Sequence, residues 1–239
     1  MVDHSTRKFV LRRFPFAIIY REKLTVIQNT GYCPRASATR LLETTPIARS
    51  VTPTRKVTFR CLVPKLWPDL ERLFGARGAC AGCWCMWWRL SRPEWNRRKG
   101  EGNRKAFRKL VRSGAEPGIL AYADGEPVGW CAIAPREQYP RLDRSHILKP
   151  VDDQPVWSVT CFFIARSFRH QGLSTALLKA AVDFARARGA RIVEGYPHDS
   201  KKATADVFVY TGLASAFRKA GFKEVARPSK TRPVMRAAV

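Results

Sequence analysis

A chain of 239 residues, 45% hydrophobic and 26% charged, can bury one sizeable core or one core plus an appendage, which excludes a disordered polymer. No apolar run is long enough to span a bilayer, and the early residues lack the apolar stretch and small-residue cleavage site of a secretion signal, so a cytoplasmic location is expected. The formal charge of +25 suggests an anionic partner: a cofactor carrying several phosphates, RNA, DNA or an acidic surface.

The basic residues are scattered along the chain rather than gathered in a tail, so charge alone does not choose among those partners. Seven cysteines, an odd number without framework spacing, fit reduced thiols.

In chain order, the first apolar runs are residues 16–20 and 24–27, separated by Arg21, Glu22 and Lys23, which is the pattern of a β-hairpin. A lone hairpin is marginal in water and needs a surface to pack on. Residues 31–54 are polar, rich in Arg and Thr and broken by Pro46 and Pro53, and read as a linker. Residues 1–55 are therefore expected to be an N-terminal extension ahead of a main domain at 56–239. That extension is either functional or a fusion or gene-start remnant.

In the main domain, residues 57–62 alternate as a strand. Residues 66–74 have helical spacing, with Pro68 tolerable in the first turn. Asn103 is the expected N-cap of a second helix ending near Arg112, with Gly114 as its stop. Residues 119–122 and 128–133 flank Asp124-Gly125, a strong antiparallel hairpin signal. Residues 138–154 form a polar loop, and 156–164 a continuous apolar strand of the buried central kind.

Leu173, Leu177, Ala180, Ala181 and Phe184 share one helical face, and Gly189 ends that helix. Residues 191–194 form a strand, 215–220 a short helix stopped by Gly221, and 222–226 the start of a closing strand. The order β-α-α-β-β-β-α-β-α-β predicts an α/β (α+β) fold, a mixed sheet with helices on its faces.

The most informative element is the buried strand followed by Arg169-His170-Gln171-Gly172-Leu173-Ser174 and then an amphipathic helix. A helix N-terminus offers unpaired N–H groups and partial positive charge to an anion. Gly172 removes the Cβ that would block close approach, and Ser174 is small. Arg166, Arg169 and His170 can add charge around phosphates.

This context resembles the GNAT acetyltransferases, whose cofactor motif is Gln/Arg-x-x-Gly-x-Gly/Ala; Ser174 departs from it at the last position. The word Phe217-Arg218-Lys219-Ala220-Gly221-Phe222 is similar to that family's usual approach to its last strands. The resemblance covers roughly residues 56–236. It implies the GNAT acyl-CoA N-acyltransferase fold, a central, mostly antiparallel sheet flanked by helices, with acetyl-CoA as co-substrate. Phe162, Phe163 and Ile164 would offer backbone groups to the pantetheine. His170, Gln171, Gly172, Leu173, Ser174 and Thr175 would wrap the pyrophosphate, with Arg169 beside them. The strands ending at Ile164 and beginning at Arg191 would splay apart around the thioester.

Separately, residues 12–21 resemble the C-terminal strands of ParE/RelE-type toxins. The rest of that small fold is absent, so a working toxin is not expected.

Acetyl transfer to an amine needs a neutral nucleophile, and a lysine-like amine has a pKa of about 10.4, so a base helps. It also needs a polarised carbonyl, which a backbone N–H near Phe163 or Ile164 could supply, and a proton for the departing thiolate. The resemblance implies a tyrosine as general acid, as in many GNAT enzymes, where this chain has Phe217, which cannot donate a proton. Tyr210 and Ser215 are the nearest replacements, with Tyr210 preferred. Glu194 is the candidate base; His198 and Tyr196 follow on the loop.

Cys80-Ala81-Gly82-Cys83-Trp84-Cys85-Met86-Trp87-Trp88 contains Cys-x-x-Cys, but no second ligand pair follows, and Cys61, Cys131 and Cys161 are strand residues expected in the core. No metal is expected. In the family this segment walls the acceptor site, which implies an aromatic acceptor pocket from Trp84, Trp87 and Trp88; the same residues could simply pack a helix.

The expected activity is N-acetylation of a primary amine of a small molecule or protein. The competing readings are a nucleic-acid- or ribosome-associated binding protein on the same fold, and a toxin-like acetyltransferase acting on charged tRNA.

Overall fold

The computed structural model describes residues 56–200 and 208–239, together with the backbone of 6–10 and 17–21. The chain divides into two units, Met1–Val51 and Thr52–Val239. In the first, β1 (Thr6–Val10) pairs antiparallel with β2 (Ala17–Arg21), Thr6 opposite Arg21 and Val10 opposite Ala17. Residues 17–20 of the expected hairpin thus pair with an earlier strand, β1. Residues 24–27 and the expected linker lie outside the described residues.

The second unit runs β3 (Val57–Cys61), α1 (Trp67–Phe74), α2 (Arg92–Arg98), α3 (Glu101–Arg112), β4 (Gly118–Ala123), β5 (Glu126–Pro135), α4 (Pro140–Asp143) and β6 (Trp157–Ile164). It continues with α5 (Leu173–Arg186), β7 (Ile192–Gly195), α6 (Ala214–Lys219), β8 (Lys223–Ser229) and β9 (Arg232–Ala238). Its seven strands form one sheet in the order β3-β4-β5-β6-β7-β9-β8. Every neighbouring pair is antiparallel except β6 with β7.

Local chemistry explains most boundaries. The β4–β5 turn places Asp124 and Gly125 at φ of 52° and 82°, the left-handed pair that a tight hairpin needs. α2, which polar composition hid, is opened by Ser91, whose hydroxyl accepts from the Glu94 amide at 3.4 Å. α3 starts at Glu101, so Asn103 is not its cap. Asn103 is fully buried, and its Nδ2 donates to the Gly82 carbonyl at 3.0 Å, tying the helix to the cysteine segment. The expected loop at 138–154 contains α4 and buries Leu142 and Leu148.

β4 is buried along its whole length and β5 along nearly all of it, because both faces of the sheet are covered. On one face lie α5 and α6, through Leu177, Leu178, Ala181 and Phe217. α5 approaches β5 closely at Gly129, where a Cβ would stand 3.2 Å from both Leu173 and Leu177. On the other face the packing is aromatic. Trp130 meets Phe74 and Phe107 edge-on at 6.1 and 6.0 Å, and Phe163 meets Phe74 at 5.5 Å.

Candidate active site

The parallel pairing of β6 with β7 covers only Trp157–Val193, Ser158–Glu194 and Val159–Gly195. β6 then continues to Ile164 without β7 beside it, while a register shift against β5 leaves Thr160 unopposed between Val159 and Cys161. A bulge turns and bends its strand. β6 and β7 thus part after Val159 and Gly195, leaving a gap where the family resemblance implied one.

The ladder fixes which backbone groups face that gap. The Ala165 amide donates to the Val128 carbonyl, and antiparallel bonding alternates from there. The Phe163 amide therefore turns toward β5, and the amides of Phe162 and Ile164 turn away from it. The Phe162 amide is already taken by the Tyr210 carbonyl at 2.6 Å, whereas the Ile164 carbonyl accepts from Arg169 Nε at 3.1 Å. This corrects the expectation for the three residues together. Phe163 serves the sheet and the aromatic core, and Ile164 brings its amide to the open side.

Beyond β6 the chain reaches α5 through His170 at φ 60° and Gly172 at φ 80°, both left-handed. Gly172 is the N-cap, and no side chain caps the helix. A Cβ added there would meet nothing within 4 Å. Thr175 donates back to the Gly172 carbonyl at 3.0 Å, so the amides of Leu173 and Ser174 are the ones a helix start leaves without an intrahelical acceptor. The Gln171 side chain folds back onto the Ser167 carbonyl at 2.7 Å. An uncapped, positive helix end facing open space fits a bound polyphosphate.

Glu194 does not lie free in the gap. It is 1% exposed, and its carboxylate accepts from Arg136 at 3.2 Å, from Arg236 Nε at 2.7 Å and from the Tyr196 hydroxyl at 2.7 Å. Tyr196 also bonds Ser158 at 2.9 Å, and the two arginines bond Asp143 and Asp152. With both oxygens held, Glu194 is a counter-ion that locks β7 to β9 and to the loop after β5, and the assignment as base is withdrawn. Removing one partner of a buried ion pair costs about 3–5 kcal/mol. Glu194→Gln should therefore lower Tm by roughly 6–20 °C. A calorimetric Tm within error of the parent would contradict this role.

Phe217, where the family resemblance implied a tyrosine, is fully buried and packs edge-on against Phe162 and Phe222. Its ring fills the space a Cβ would need at Gly195 and Gly212. Ser215 is exposed on α6. Tyr210 instead sits on the loop that covers β6. Burial pushes its phenol above its ordinary value, while Cys83, Cys161, Arg141 and Arg232 lie close enough to act on it electrostatically.

The tryptophans divide. Trp84 is a core residue, stacked on Trp67 at 6.0 Å and tilted against Phe74, which corrects its expected place in an acceptor wall. Trp87 and Trp88 are partly exposed, and Arg141 lies 3.5 Å over the Trp87 ring. Cys85 accepts from Trp130 Nε1 at 3.0 Å, and burial raises the Cys83 thiol to about 12. Among the described residues no group of three or more His, Cys, Asp or Glu could hold a metal. No described helix is long and apolar enough to cross a membrane.

Sequence reasoning passed over Arg141 and Arg232, two arginines among 44 basic residues; only the fold brings them to Tyr210.

The chain matches the sequence profile described as Acetyltransferase (GNAT) family over residues 84–206. It belongs to that family, whose general chemistry is acyl transfer. Among solved structures it is similar to the PaiA N-acetyltransferase of Thermoplasma acidophilum in complex with coenzyme A, at 17% identity and TM-score 0.44, covering 77% of this chain and 99% of that one. It is also similar to a GNAT acetyltransferase of Streptococcus agalactiae, at 16% identity and TM-score 0.47 over 77% and 95% of the two chains. The aminoglycoside N-acetyltransferase AAC(6')-Iy in complex with CoA has 16% identity and TM-score 0.45, over 74% of this chain and 94% of that one. No curated protein matches.

Proposed function

We propose that this protein is an acetyl-CoA-dependent N-acetyltransferase acting on a primary amine. The observation that carries the reading is the bulged, splayed β6 leading into an uncapped α5 whose N-cap, Gly172, faces open space. Acetyl-CoA supplies an activated thioester. The amides of Leu173 and Ser174 would hold its pyrophosphate, with Arg169, His170, Gln171 and Thr175 lining the turn. Along β6, the backbone of Ile164 would align the pantetheine arm, with Phe162 forming the floor beneath it.

The chemistry then rests on the groups around Tyr210. Burial favours the neutral phenol, so Tyr210 keeps a proton to give to the departing thiolate. Arg141 and Arg232 disfavour a nearby ammonium, which raises the fraction of neutral, reactive amine. His198, held below its usual value by burial and by Arg232, would take the amine's proton. Trp87 and Trp88 would wall the acceptor.

The reading is tested by incubating the protein with acetyl-CoA and a panel of amines and following free thiol. Acceptor-dependent thiol release is expected; its absence with every amine class, from an enzyme that also fails to bind acetyl-CoA, would reject the reading.

A further inference from the structure

Arg141 and Arg232 come from two separate elements, α4 and β9. Arg141 lies on α4, its guanidinium 3.5 Å over Trp87 and bonded to the Trp87 carbonyl at 3.2 Å. Arg232 opens β9, bonding the Thr211 hydroxyl at 2.7 Å and the Tyr196 carbonyl at 3.4 Å. Thr211 follows Tyr210, whose carbonyl is fastened to β6, and both guanidinium groups lie near enough to the Tyr210 phenol to act on it electrostatically.

Each is partly buried, and burial lowers the pKa of each. Yet among the described residues neither forms an ion pair. Asp143 is engaged by Arg136, Asp152 by Arg236, and Asp199 by Arg218 and Arg227. Arg92 stands near Arg141 as a further positive charge. The Trp88 indole N–H is also buried without a partner among the described residues, a donor with no acceptor.

Desolvated cations without counter-ions are costly, so natural structures hold them where a ligand completes the pair. A guanidinium matches the two oxygens of a carboxylate or phosphate.

We propose that the acceptor is a small amine that also bears an oxyanion, a carboxylate or a phosphate, held between Arg141 and Arg232 beside Trp87. The inference rests on the acetyltransferase reading and names its substrate class. The anion anchors one end of the acceptor and leaves its amino group free at the other.

The test compares matched acceptors: free amino acids with their carboxamides, and O-phosphoethanolamine with ethanolamine. Charge-assisted hydrogen bonds are worth about 10- to 100-fold each in affinity, so the anionic member of a pair should lead in kcat/KM by at least that factor. The first pair reports a carboxylate site and the second a phosphate site.

Arg141→Gln and Arg232→Gln should each raise the acceptor KM by about 10- to 100-fold, abolish the preference over the neutral partner, and leave the KM for acetyl-CoA unchanged. A Tm near the parent's excludes misfolding of either variant. Equal or better turnover of the neutral amines overturns the proposal. So does acetylation of neither series by a protein that still binds acetyl-CoA, a result that leaves the cofactor assignment standing.

Discussion

Gly172→Glu should abolish measurable acetyl-CoA binding while the protein remains folded. A carboxylate at this N-cap occupies the open space beside the Leu173 and Ser174 amides, places negative charge where the pyrophosphate would lie, and satisfies the helix end internally. The substitution also puts a side chain at φ 80°, which costs about 1–2 kcal/mol and does not threaten the fold of an exposed turn. Gly172→Ala carries the same backbone strain without charge or reach, and should weaken binding far less than Glu does. Titration calorimetry of the three proteins decides the matter. Equal affinity in parent and Gly172→Glu would remove the cofactor from this turn.

The second large effect is expected at Tyr210. Tyr210→Phe keeps the ring over β6 and loses only the hydroxyl, so kcat should fall about 10²- to 10⁴-fold, the range for losing a positioned acid. The KM for acetyl-CoA should hardly change. Because burial keeps the phenol protonated past its ordinary value near 10, the parent's activity should show no alkaline loss from this group below that pH. Phe217→Tyr should not rescue the variant. Its ring is enclosed by Gly195, Gly212 and Phe222, and a hydroxyl there would enter the core rather than the cleft. Full turnover in Tyr210→Phe would pass the acid's role elsewhere, with exposed Ser215 or water the next candidates. A parallel loss of acetyl-CoA affinity would make Tyr210 a binding residue.

The parts legible in the sequence were those where local chemistry and tertiary demand agree. The Asp124-Gly125 hairpin, the apolar β6 and the Gly172 turn into α5 each carry a signal within a few residues. What sequence hid depended on distant partners. β9 contains Pro233 and Arg236, so its composition does not read as a strand; it becomes one because β7 and β8 flank it and Glu194 takes up Arg236. Glu194 looked like a base for the same reason: its arginines lie 58 and 42 residues away. Trp84, Trp87 and Trp88 look alike in sequence, and only the position of α1 decides that Trp84 stacks inward. Tyr210 was singled out because Phe217 lacks a phenol, but its guanidinium neighbours left no local trace.

The proposed activity requires that the β6–α5 turn bind acetyl-CoA for transfer to an amine. Acetyl-CoA calorimetry on the full chain tests this most directly. One saturable site per chain is expected, with a Tm that rises with ligand, equivalent to about 2.7 kcal/mol at a hundredfold excess over Kd. Both signals should vanish in Gly172→Glu. No heat and no stabilisation by acetyl-CoA in the parent, at millimolar ligand and with the protein folded, would contradict it.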